Sequence, residues 1–210
     1  MYSSKFKFVF LHPHKCGGNT INRIFSPYSD VKLITRDSYS GKNQGSIIPV
    51  LPNCKHTTYE AYVKAFPEIQ NYFKFSVFRN PYDRVASWYS HKNQKNKPNT
   101  FEEAEKFVRS IRTDGPNRIP SQVKYYGLDG ENFLDYIIDF NNFEKDLRIV
   151  YQTVTGNELK EVSIINKSPM KNPEDFYTYG ERSSQELKEF VYEIFFDDFE
   201  FMKEFIKKGK

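Results

Sequence analysis

The run from Tyr72 to Phe78, followed at once by Arg79-Asn80-Pro81, constrains the chain more than any other segment. Its aromatic and β-branched residues form a near-continuous apolar stretch, the pattern of a strand buried on both faces of a parallel sheet. Pro81 suits the first turn of a helix, where its missing N–H costs nothing, and that helix is predicted to run to about Asn93. Parallel strands need helical crossovers, so the rest of the chain is read for alternating strand and helix.

That alternation is present. Lys5 to Leu11 reads as an opening strand, and the Gly17-Gly18 turn leads to a helix from about Asn19 to Phe25. Residues 36–54 carry Gly41, Gly45, Pro49 and Pro52 among polar residues and read as a long loop. Thr57 with Glu60 has capping-box spacing and opens a short helix ending near Pro67. Thr100 with Glu103 opens another, to about Arg112, which Asp114-Gly115-Pro116 breaks. Phe133 to Phe140 is a third strand, and Asn142 caps a helix to about Thr155. After a Pro-containing loop over 166–180, Ser183 with Glu186 caps a closing helix of about twenty residues. The expected fold is α/β: a central parallel sheet flanked by helices, in one domain spanning 1–210, without internal repeats.

Composition narrows the function classes. With 20 Phe and 15 Tyr, the core is expected to be built from rings more than from aliphatic chains. A net charge of +4 suits an anionic ligand and is too mild to indicate nucleic acid. The basic run His91 to Lys97 reads as a solvated helix end. No stretch approaches the roughly 20 apolar residues of a membrane span, and Phe8 to Leu11 is too brief for the core of a signal peptide. The chain is therefore expected to be soluble and cytoplasmic, with Cys16 and Cys54 as free thiols. The four histidines (His12, His14, His56 and His91) and two cysteines complete no zinc pattern, so no metal is expected.

Two constellations carry chemistry. The first is His12-Pro13-His14-Lys15-Cys16-Gly17-Gly18-Asn19-Thr20, between a strand and a helix. Glycines there let the backbone approach a ligand closely, and the helix start turns free N–H groups toward an anion. Lys15 adds a point charge, and Asn19 and Thr20 add short donors. The loop therefore has the makings of a P-loop-like phosphate or sulfate cradle, although a plain strand-to-helix turn would share its spacing. It is not a Walker A loop, because the lysine precedes the glycines.

The second constellation is the segment Phe75 to Tyr89. Arg79 stands at a strand's carboxyl end, where open α/β sheets bind ligands. Its guanidinium can grip a phosphate with two hydrogen bonds, and the Ser87 hydroxyl can supply a third. An Arg79–Asp83 ion pair with Ser87 as a packing residue is the purely structural alternative.

Together these segments resemble the cofactor-binding motifs of sulfotransferases that use 3′-phosphoadenosine 5′-phosphosulfate (PAPS), in the branch rich in carbohydrate sulfotransferases. That family's first motif typically reads His-x-Pro-Lys-Thr-Gly-Gly-Thr-Ser. Its second reads Phe-x-Val-x-Arg-Asn-Pro-Tyr-Asp-Arg-x-x-Ser-x-Tyr, which residues 75–89 match almost throughout. Further along, Ile119 to Gln122 resembles its Pro-x-x-Gln segment, and Asp139 to Leu147 a strand-then-helix segment. Asn166-Lys167-Ser168 resembles its Asn-x-Ser loop, and Asp197 to Phe201 its closing helix.

The resemblance implies that Lys15, Cys16, Gly17, Gly18, Asn19 and Thr20 cradle the 5′-phosphosulfate. It implies that Arg79 and Ser87 hold the 3′-phosphate. Cys16 and Asn19 stand where the family usually has threonine. Sulfuryl transfer is an in-line displacement that needs a base for the acceptor proton and a cation for the leaving phosphate. Lys15 is the candidate cation and His56 the candidate base, an imidazole with an unperturbed pKa of roughly 6.5 suiting proton abstraction at neutral pH. His14 and Glu60 are rival bases. The acceptor implied is a hydroxyl, with a saccharide or glycolipid favoured. A nucleotide kinase and a non-catalytic nucleotide- or glycan-binding module are the competing classes.

Overall fold

The computed structural model describes residues 1–30, 56–111, 113, 119–128, 131–165 and 169–207. The 36–54 loop with Cys54, the break at Asp114-Gly115-Pro116 and the Asn166-Lys167-Ser168 loop lie outside the described residues. In chain order the strands are β1 (Tyr2–Ser3), β2 (Phe8–Leu11), β3 (Phe73–Phe78), β4 (Gly127–Leu128), β5 (Glu131–Asn132) and β6 (Tyr136–Asp139). The first four helices are α1 (Gly18–Phe25), α2 (Tyr59–Ala65), α3 (Pro81–Asn93) and α4 (Phe101–Arg109). They are followed by α5 (Val123–Tyr126), α6 (Phe143–Thr155), α7 (Glu181–Ile194) and α8 (Phe196–Lys207).

These elements group into two compact units, one from residues 1–78 and 124–165, the other from 79–123 and 166–210. The first unit holds the main sheet, in the order β1-β2-β3-β6. The strands β2, β3 and β6 run parallel, with Leu11 opposite Ser76 and Phe78 opposite Asp139, and β1 runs antiparallel to β2. The fold is α/β, a sheet of parallel strands flanked by helices. Strand β3 forms where its apolar run predicts, and from Lys74 onward every residue of it is buried. Its one charge is satisfied: Lys74 Nζ donates to the carbonyl of Tyr72 at 2.7 Å and pairs with Asp135 at 2.9 Å. The core is shared between rings and aliphatic chains and is not dominated by rings as the composition suggested: Phe8, Phe10, Phe25 and Phe75 join Ile21 of α1, Val77, Ile138, and Leu147 and Val150 of α6.

Helices α3, α4, α7 and α8 belong to the second unit. Its core gathers Val85, Tyr89, Phe176, Leu187, Val191 and Phe195, among others. Helix α3 begins at Pro81 as expected, and Asn80 caps it by accepting from the Tyr82 N–H at 2.9 Å. Residues 91–97 are exposed, in keeping with a solvated helix end.

Several boundaries differ from the sequence expectation. The opening strand is halved, because residues 4–7 form a turn that brings β1 back against β2. The cap of α2 is Thr58, not Thr57; its hydroxyl accepts from the Ala61 N–H at 3.3 Å. Asn142 makes no side-chain cap for α6 and instead donates to Asp139 at 3.0 Å. The closing helix is two helices that part at Phe195, and the first follows Gly180, so Ser183 is not its cap. Among the described residues no helix is long and apolar enough to cross a membrane.

Candidate functional site

The loop from His12 to Gly17 joins β2 to α1, and its backbone is unusual. Lys15 has φ 65° and Gly17 has φ 74°, two left-handed residues flanking Cys16. Only two other non-glycine residues among those described share this conformation. Lys7 lies in the β1–β2 turn, and Gln94 ends α3, both ordinary places for it. Lys15 too lies in a turn, directly after His14, and a side-chain-bearing residue held in this conformation costs on the order of 1–3 kcal/mol, the kind of strain found at turns and at functional sites. Left-handed residues in alternation turn successive N–H groups into one concavity that suits an anion. No acidic side chain stands in the first turn of α1 to compete for it.

Both glycines are required by shape. A Cβ on Gly17 would meet the rings of Phe143 and Phe140 at 3.1 and 3.2 Å, besides being strained by its φ. A Cβ on Gly18 would lie 2.2 Å from Cδ2 and Nε2 of His12. The side chains between and after them differ in what they can offer. Cys16 is fully buried in the core cluster, with Sγ 3.4 Å from the carbonyl of His14. Thr20 is buried too, and its Oγ1 accepts from the Ile165 N–H at 3.0 Å. Lys15 and Asn19 are half-buried.

Three of the four histidines converge on this loop. His12 is buried, its ring stacked on Phe10, and its Nδ1 accepts from the Asn22 side-chain amide at 3.2 Å. The ring of His56 lies parallel to that of His14, with centroids 3.6 Å apart and planes within 14°. His56 Nδ1 is 2.8 Å from the backbone carbonyl of His12. A carbonyl only accepts, so Nδ1 carries the proton and Nε2 is the basic nitrogen of the neutral ring. His14 Nδ1 in turn lies 2.6 Å from the hydroxyl of buried Tyr125. The fourth histidine, His91, is exposed on α3.

The sequence pointed to His56 and Lys15 but missed Tyr125 and the joint role of His12 as ring wall and carbonyl anchor. Tyr125 carries no local motif; only its approach to His14 marks it. Among the described residues no group of three or more His, Cys, Asp or Glu could hold a metal ion.

The second unit holds Arg79 and Ser87, both largely buried. Burial pushes the Asp83 carboxyl up from the usual carboxylate range, and the Arg79 charge acts against that, lowering it. Arg79 and Asp83 thus feel one another, as the structural alternative for this segment requires, yet burial outweighs the pairing. Gln122, in the Pro-x-x-Gln segment, binds the backbone of Arg79 through both ends of its side-chain amide, at 2.9 and 2.8 Å.

The chain matches the sequence model of the Sulfotransferase family over residues 1–203, a span that takes in both units. No curated protein and no solved structure matches it.

Proposed function

The chain belongs to the sulfotransferase family and is an enzyme of sulfuryl transfer, and from that premise we propose its donor, its site residues and its acceptor class. The family implies PAPS as the sulfate donor. In this reading Lys15 to Thr20 hold the phosphosulfate end, Arg79 and Ser87 hold the 3′-phosphate, and the acceptor is a saccharide or glycolipid hydroxyl. The whole chain then works as one sulfotransferase domain.

The observation that carries the reading is the convergence of His12, His14 and His56 on a strained, glycine-shaped loop at the start of a helix. Such a loop fits the donor's anionic end through backbone N–H groups, so the departure at Cys16 matters little, since that side chain lies in the core. His56 is the base. Its Nδ1–H is held by the His12 carbonyl, which presents Nε2 as the proton acceptor. In transfer, the acceptor oxygen bonds to sulfur as the bond from sulfur to the phosphate oxygen breaks. The acceptor proton passes to His56 Nε2, and the charge growing on the released phosphate is met by the Lys15 ammonium.

Calorimetry with adenosine 3′,5′-bisphosphate, adenosine 5′-phosphate and ATP tests the donor. A clear preference for the first is expected, and equal or tighter binding of ATP with magnesium would point to a phosphotransferase. Turnover of labelled PAPS tests the residues. His56→Ala is expected to lower it by about a hundredfold or more while leaving bisphosphate binding intact, and Lys15→Ala to weaken both. Unchanged turnover in the two variants would refute the catalytic assignment.

A further inference from the structure

We propose that Gln122 and Asp198 are positioning residues for Arg79, a backbone clamp that makes 3′-phosphate recognition depend on α8. The proposal rests on the reading that Arg79 grips that phosphate. Every group in it lies in the second unit.

Arg79 and Asn80 separate the last residue of β3 from the first of α3, so the backbone groups of Arg79 have neither a ladder nor a helix of their own to satisfy them. Gln122, fully buried, serves both. Its Oε1 accepts from the Arg79 N–H at 2.9 Å, and its Nε2 donates to the Arg79 carbonyl at 2.8 Å. One side-chain amide thereby fixes the main chain on either side of the Arg79 Cα, and with it the direction in which the guanidinium leaves.

The amide is itself held. Nε2 also donates to Asp198 Oδ2 at 3.3 Å. Asp198 is fully buried and accepts from the N–H groups of Gln122 and Val123 at 2.6 and 3.1 Å, and from the Ser121 hydroxyl. The charge balance comes from Arg84, buried beside it, whose Nη1 reaches Asp198 Oδ2 at 3.2 Å and whose Nη2 donates to the Pro120 carbonyl. A buried ion pair adds little net stability over apolar packing but is costly to break, and its best-attested use is to fix one geometry. Here what it fixes is the 120–123 segment, and through Gln122 the backbone of Arg79.

A role in stability alone would predict that loosening Gln122 weakens every ligand alike. The clamp predicts a loss confined to the 3′-phosphate. Calorimetry on the full chain with adenosine 3′,5′-bisphosphate and adenosine 5′-phosphate separates them. If the wild type shows no preference between the two, the Arg79 assignment itself fails. Given that preference, Gln122→Met is expected to cut it by about tenfold, the scale of one or two lost hydrogen bonds, with adenosine 5′-phosphate affinity unchanged. In an Arg79→Ala background the same substitution should have no further effect. Equal weakening of both ligands, or a loss that persists without Arg79, would overturn the proposal. Should Gln122→Met not fold, amide exchange in the wild type decides: the Arg79 N–H should exchange slowly, and exchange at the rate of an open loop would rule out the clamp.

Discussion

Replacing Gly18 by alanine tests the geometry of the candidate site more sharply than removing a charged residue would. The new Cβ would stand 2.2 Å from Cδ2 and Nε2 of His12 and 2.7 Å from Cε1, against the roughly 3.5 Å at which carbon atoms ordinarily touch. The imidazole must therefore retreat by about 1 Å. It has little room: His12 is 4% exposed, stacked on Phe10 with centroids 5.4 Å apart, and 4.5 Å from the ring of His56. Overpacking of this kind costs about 1–3 kcal/mol, and losing the Asn22 bond to Nδ1 adds about 1 kcal/mol. Alanine's better helix propensity returns up to about 1 kcal/mol. The net is roughly 2–3 kcal/mol, which for a chain of this size lowers the melting temperature by about 5–10 °C.

Thermal unfolding of four variants, Gly18→Ala, Gly156→Ala, His12→Ala and the His12→Ala/Gly18→Ala double, tests this account. Gly156→Ala is a contrasting case: Gly156, unlike Gly18, has a left-handed φ of 74°, and nothing lies within 4 Å of the new Cβ, so it should cost only the left-handed backbone penalty of about 1–2 kcal/mol. In His12→Ala the obstructing ring is gone, and Gly18→Ala should then cost nothing further, a coupling of about 2–3 kcal/mol between the two positions. Because the His12 carbonyl holds His56 Nδ1, the single variant should also lose turnover out of proportion to its stability. Additive costs in the double variant, or a Gly18→Ala melting point close to wild type, would mean that the ring does not occupy that space.

Two further outcomes follow from the second unit. Hydrogen bonds from the Tyr89 hydroxyl, the Asn99 N–H and Lys95 hold the Glu103 carboxyl down at about 2, below its ordinary 4.5. Its folded-state pKa is depressed, so the stability it contributes is fully present above about pH 4.5 and is lost as pH falls toward about 2. Urea melts should show wild type above Glu103→Gln at neutral pH, with the gap closing across that window; a gap independent of pH would contradict the assignment. Arg84→Ala leaves Asp198 buried without its countercharge and is expected to cost about 3–5 kcal/mol, read as a fall in melting temperature of about 6–20 °C.

The parts of the fold that were legible in the sequence are those fixed by neighbours along the chain. The apolar run of β3, Pro81 opening α3 and the Thr100–Glu103 cap of α4 each state their own structure within a few residues. Thr100 does accept from the Glu103 N–H at 3.2 Å. Errors fell where tertiary contact chose between similar local options. Thr57 and Thr58 are both able caps, and the run from Glu181 onward has no proline or glycine to announce that the helix breaks at Phe195. The paired strand β1, two residues long, is defined only by its partner.

The site divides in the same way, and the division explains why the loop motif alone left its function open. Lys15, Gly17 and Gly18 lie within four positions, and their spacing could be weighed against an ordinary turn but not separated from it. What separates them is tertiary contact: the His12 ring, folded back from the start of the same loop, forbids a Cβ at Gly18, and from far off in sequence come the Phe140 and Phe143 rings against Gly17 and the His56 ring stacked on His14. A left-handed lysine does not by itself mark the loop, since Lys7 has the same conformation in the β1–β2 turn; what marks it is the two closely approached glycines with three imidazoles beside them. What these features share is their place around one loop: left-handed Lys15 and Gly17, the close contacts at the two glycines, and the His12, His14 and His56 rings. The same reasoning holds at Gln122, a residue ordinary in sequence whose amide spans the backbone of Arg79 from 43 positions away. Local pattern locates the groups that touch a ligand, while the groups that aim them are set by contacts from elsewhere in the chain.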